Sequence, residues 1–129
     1  MSTLKADTIQ NTSGGAVTLT NQHAIKIWIN FNGSGTIAIR DSFNVSGIID
    51  EGTGDYTTTF TNDMSSGDYC ETDGSFEIGT SRSTAVQADT HSQLAGSFRI
   101  KYALSDDAAD GTQAGDTTFV QQMFAGDLA

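Results

Sequence analysis

Ile25-Lys26-Ile27-Trp28-Ile29-Asn30-Phe31 places an apolar residue at every odd position and a polar or aromatic one between. A period of two is the signature of a strand with one face on a core. Phe98-Arg99-Ile100-Lys101-Tyr102-Ala103-Leu104 repeats the pattern near the other end of the chain. These two stretches decide the fold class, because a helix would need apolar residues three and four apart.

Weaker strands lie between and beside them. Asn32-Gly33-Ser34-Gly35 reads as a turn, and Thr36 to Arg40 begins a strand that Phe43, Val45 and Ile48 continue. Asp50 to Asp55 reads as the next turn, after which Tyr56, Thr58 and Phe60 share a face. Tyr69 and Cys70 suggest a short strand. Asp73-Gly74 carries a hairpin-turn signal before Phe76 and Ile78. Gly79 to Leu94 is mostly polar and reads as a long loop, with a helical turn near Ala85 to Ala88. Ser105 to Asp116 reads as an acidic loop and Phe119 to Phe124 as a last strand. Short strands with regular turn punctuation predict an all-β chain, an antiparallel β-sandwich or jelly-roll-like domain over residues 23–129.

Residues 1–22 differ. Leu4, Ile9, Val17 and Leu19 are sparse, and Asn11-Thr12-Ser13-Gly14-Gly15 interrupts them as a turn. Two short strands are not stable alone. This segment is therefore expected to be an arm for attachment or oligomer contacts.

Composition narrows the function. The chain has 129 residues, one ordinary domain, and only 36% of them are hydrophobic. A thin core favours stabilisation by further copies of the chain. Net charge is −10, with six basic residues. That balance excludes a phosphate-neutralising nucleic-acid surface and disfavours anionic membranes. No apolar run approaches the ~18 residues of a membrane span. The single cysteine permits no intrachain disulfide, which suits assembly in a reducing cytoplasm. Residues 1–10 show no apolar signal region.

Chemistry-bearing motifs are sparse. No G-x-S-x-G elbow, phosphate loop or zinc spacing is present, and His23 and His91 stand in no motif. Acidic neighbours Asp68, Glu71 and Asp73 suppress the thiolate of Cys70, which reads as a partly buried small residue. No cofactor is expected. Asp106, Asp107, Asp110 and Asp116 crowd one loop and are the calcium candidates, although their spacing is not that of an EF-hand and a solvated loop is the plainer reading. Paired carboxylates also serve glycoside hydrolysis. With a single tryptophan as sugar platform, the polysaccharide depolymerase reading ranks last. Trp28 points away from Ile27 and Ile29, so either a second layer covers it or it meets another subunit.

Several stretches resemble virion structural proteins of marine tailed phages (cyanophage- and pelagiphage-like), described as tail fibre or tail fibre-like. They are Leu4-Lys5-Ala6-Asp7-Thr8-Ile9-Gln10-Asn11-Thr12-Ser13-Gly14-Gly15, Trp28-Ile29-Asn30-Phe31-Asn32-Gly33-Ser34-Gly35-Thr36, Ile39-Arg40-Asp41-Ser42-Phe43-Asn44-Val45-Ser46, and DEGTGDY at 50–56 with Thr57 to Phe60. The chain departs from the pattern at Met64-Ser65-Ser66-Gly67-Asp68-Tyr69, where a proline-containing turn is expected. The resemblance implies a homotrimer on a virion, partnered by tail or capsid proteins and by a host-surface receptor, with the arm towards the attachment side and no reaction. Loops 79–94 and 106–116 would then face the host. A head decoration protein that coats the capsid is the alternative.

Overall fold

The computed structural model describes residues 12–13, 25–76, 83–105 and 112–129. The side chains of residues 76, 83–90, 105, 112 and 113 lie outside that description. All regular structure among the described residues is strand: β1 Ile25–Asn32, β2 Ala38–Phe43, β3 Val45–Gly52, β4 Asp55–Phe60, β5 Cys70–Phe76, β6 Ser83–Leu94, β7 Ser97–Ser105, β8 Thr112–Ala114 and β9 Phe119–Ala125. They form an antiparallel β-sandwich. The first sheet has the order β2-β1-β9-β5, and the second β3-β4-β7-β6 with β8 paired to β7.

The two strongest periodic stretches become central strands, β1 in the first sheet and β7 in the second. Their neighbours β9 and β4 complete the two middles. Ile27, Ile29 and Phe31 face Tyr56, Phe60, Phe98, Ile100 and Tyr102 across the interior, with Val120 and Phe124 from β9. The alternation read in the sequence is thus the burial of one face of each central strand. Phe124 is the hub. Phe60 and Phe98 each meet it edge-on with centroids 5.2 Å apart, and Tyr69 does so at 5.7 Å. Edge contacts of this kind add about 0.5–1.5 kcal/mol each beyond the area they bury. Met64, also buried, closes this end through a bridge to Leu128.

The chain crosses between sheets at Asn44, the one residue between β2 and β3. Its φ is 58°, a left-handed conformation that asparagine adopts more readily than most residues. Val45 therefore starts a new strand in the other sheet, where the sequence suggested a continuous one. Asn44 Oδ1 accepts from the Asn62 backbone N–H at 2.9 Å, and its Nδ2 donates to the Asn62 carbonyl at 3.2 Å.

Other expectations are corrected. Asp73-Gly74 is not a turn: both residues sit inside β5, paired with Gln122 and Gln121 of β9 without a register shift. Gly79 to Leu94 is not a long loop, because its second part is the 12-residue β6. Ala85, Val86 and Gln87 pair with Ala103, Tyr102 and Lys101, so the helical turn near Ala85 to Ala88 is absent as well. β6 ends the order of its sheet, and an edge strand needs no apolar alternation to be recruited by its neighbour's backbone. β3 runs to Gly52, which shortens the turn expected over Asp50 to Asp55. β8 interrupts the acidic stretch Ser105 to Asp116. Cys70 is exposed rather than partly buried, because it faces outward on β5.

Polar groups inside the sandwich are connected. Thr58 Oγ1 donates to Gln122 Oε1 at 2.7 Å, and Gln122 Nε2 reaches the Tyr102 hydroxyl at 3.4 Å. On the outer side of the second sheet, Arg99 grips Asp55 through two bonds of 2.9 Å.

Candidate functional site

Register across the first sheet builds a surface from residues far apart in the chain. Trp28 of β1 stands opposite Phe43 of β2 and Met123 of β9. Met123 stands opposite Thr72 of β5. Two positions along, Asn30 lies between Asp41 and Gln121, and Gln121 lies opposite Gly74. Ile27, Ile29 and Phe31 of β1 and the even residues of β9 are buried, so both rows point away from the core. One row is apolar, Phe43-Trp28-Met123, with Phe43 57% and Met123 44% exposed. Its neighbour carries two amides.

Between these rows runs an open groove of about 410 Å³, lined by Trp28, Asn30, Thr72, Gly74, Gln121 and Met123 with the intervening backbone. Gly74 matters to its shape. A Cβ added there would meet nothing within 4 Å, so the missing side chain leaves space beside Gln121 and Thr72. A glycine inside a strand is otherwise unfavourable and marks a close approach of something else.

A bulge between β1 and β2 supplies the charge at one end. The register shift beside Asn30 leaves Arg40 extra in its strand. Its guanidinium carbon lies 4.0 Å from the centre of the Phe119 ring, and Nη2 donates to the Thr118 carbonyl at 2.7 Å. Nη1 donates to Asn30 Oδ1 at 3.5 Å, which turns the amide nitrogen of Asn30 into the outward donor. Outward positions of β9 carry no charge, and those of β5 from Cys70 to Gly74 carry none either. In a chain of net charge −10, this face holds Lys26 and Arg40 against Asp41.

Trp28, expected to meet another subunit or a covering layer, is partly buried on the outer face, while the second sheet packs against the opposite side. The other expected contact residues, Leu4, Ile9, Val17 and Leu19, lie outside the described residues. So do Asp106, Asp107 and Asp110 of the calcium candidates. Asp116, the fourth, accepts from the Gly54 N–H at 2.7 Å and lies 3.2 Å from the Tyr56 hydroxyl. It therefore has a structural employment of its own. Burial first, then the charge of Asp116, pushes the Tyr56 hydroxyl above the usual phenol range, so it remains a donor, bonding to the Gly33 carbonyl at 2.7 Å. His91 is exposed and meets the Phe98 ring edge-on at 5.0 Å.

Glu71 and Asp73 were legible in the sequence only as neighbours of Cys70. They lie opposite Phe124 and Gln122, both buried, so their carboxylates face inward from β5. Glu71 Oε1 and Asp73 Oδ2 are buried without a hydrogen-bond partner. Desolvation, with the nearby Asp73 charge, raises the Glu71 carboxyl from 4.5 to about 7. Among the described residues no three metal-ligating side chains converge. Comparison with protein-family models, with curated proteins and with solved structures found no match for this chain.

Proposed function

We propose that the chain is a structural subunit of a tailed-phage virion, of the tail-fibre kind, which assembles as a homotrimer and contacts the host surface. The observation that carries this reading is the exposed outer face of the first sheet. It combines Phe43, Trp28 and Met123 with Asn30 and Gln121 on an otherwise acidic sandwich. A face of that kind is a contact surface rather than a reaction centre. The reading assigns the chain no reaction. Trimeric presentation would multiply a weak site by effective concentration, about 10²–10⁴-fold. Closed rotational symmetry would also cover sheet edges such as β3 and β6.

Immunogold electron microscopy of purified virions with antiserum to the chain tests the reading. Label at the tail is the expected result. Label spread over the head would replace it with the head decoration protein, and unlabelled particles would remove both.

A further inference from the structure

We propose that the groove beside Trp28 binds a neutral saccharide. The groove of about 410 Å³ falls within the size range of small-molecule sites. Its lining combines an indole wall, a thioether and three hydrogen-bonding side chains, Asn30, Thr72 and Gln121. A sugar ring presents the matching surfaces: axial C–H groups that pack on an aromatic face, and equatorial hydroxyls that both donate and accept. Amides and hydroxyls also donate and accept, and so pair with hydroxyls in either sense.

Charge narrows the ligand. The outward side chains that line the groove are uncharged, and Arg40 is held at its end by Phe119, Thr118 and Asn30. An acidic ligand would find no paired cation in the groove, and a basic one no anion. A peptide strand adds to a sheet edge rather than to a face, and this groove lies on the face across β1, β9 and β5. A second copy seated there would have to strip water from the amides of Asn30 and Gln121. The space above Gly74 is where the ring would enter, because any larger residue would fill it.

The inference takes its biological meaning from the host-contact reading, but binding is measured on the isolated chain. Virion labelling and saccharide binding therefore fail independently.

Trp28 is the single tryptophan, so its emission reports on the groove alone. The full chain is titrated with maltohexaose, cellohexaose, hexa-N-acetylchitohexaose and a mannan hexamer, and with hexagalacturonate as the charged control. Calorimetry runs in parallel. A saturable response to at least one neutral hexamer is expected, with Kd on the order of 10 μM to 1 mM. Gly74→Leu should weaken it by about tenfold or more. Leucine suits a strand better than glycine, its Cβ meets no neighbour there and the rest of the side chain enters the open groove, so circular dichroism and Tm should be retained. Three results would overturn the proposal. One is no response to any neutral hexamer at roughly 10 mM. Another is an equal response to hexagalacturonate or in Gly74→Leu. The third is a sugar-independent emission shift that grows with protein concentration and is lost in Gly74→Leu, which would assign the groove to a second copy.

Discussion

Thr58 and Gln122 join the two sheets through the middle of the sandwich, the Thr58 hydroxyl donating to Gln122 Oε1 at 2.7 Å. Both residues are buried, at 0% and 1% exposure, so neither group can turn to water if the other is lost. Thr58→Val keeps the shape and removes the donor. It leaves Gln122 Oε1 desolvated without a partner, which costs about 1–3 kcal/mol. Thr58→Val with Gln122→Met removes both polar ends and should recover part of that loss. Urea unfolding of the two variants measures it. A double variant less stable than Thr58→Val alone would show that the bond is not what holds this pair.

Asn44 makes the second junction, in the backbone rather than the core. Asn44→Ala loses the four side-chain bonds that tie β2 to Lys26 and Asn62, and it forces an alanine into φ 58°. We expect a loss of about 2 kcal/mol. Asn44→Gly relieves the backbone and isolates the side-chain share, so it should fall between alanine and wild type. Equal stability of the alanine and glycine variants would remove backbone strain from the account.

What could be read in the sequence follows from where each strand sits. Ile27, Ile29 and Phe31, like Phe98, Ile100 and Tyr102, announce themselves because a central strand must bury one face and leave the other. β6 does not, because an edge strand is held by β7's backbone and needs little apolar periodicity. Asp73-Gly74 misled for a related reason: a local turn preference is overridden once β9 pairs along the whole of β5. The outward direction of Trp28 was legible from parity alone. Its groove was not, since Thr72, Gly74 and Gln121 reach Trp28 only through the β1-β9-β5 strand order, which no local pattern encodes.

The inward carboxylate of Glu71 ties stability to pH. Its folded pKa is raised to about 7 from 4.5, so the folded state holds a proton that the unfolded chain has released. Below pH 4.5 Glu71 costs nothing. Stability falls as pH rises from 4.5 to about 7, and the penalty is constant above that. The full shift would be worth more, but the group is half-buried and water screens it, so the expected penalty is about 1 kcal/mol. Glu71→Gln should match wild type at pH 4 and exceed it at pH 8 by that amount. Urea midpoints across this range decide the matter, since parallel curves would mean that Glu71 is solvated.

Asp116 closes the end of the sandwich where Gly54 turns the chain. Gly54 has φ 69° and no room for a Cβ, which would lie 2.6 Å from the Tyr102 carbonyl. Its N–H donates to Asp116 Oδ1 at 2.7 Å, and its carbonyl accepts from the Tyr102 N–H at 2.9 Å. Asp116→Ala leaves a partly buried N–H without its acceptor and should cost about 1–3 kcal/mol. Asp116→Asn keeps an acceptor oxygen and should lose less, because only the charge assistance goes. A calcium ligand behaves differently, since its replacement destabilises the chain only when the ion is present. Melting the wild type and both variants with calcium and with chelator separates the two roles. The hydrogen-bonding role predicts the same losses in both buffers, and a loss confined to calcium buffer would return Asp116 to the metal reading.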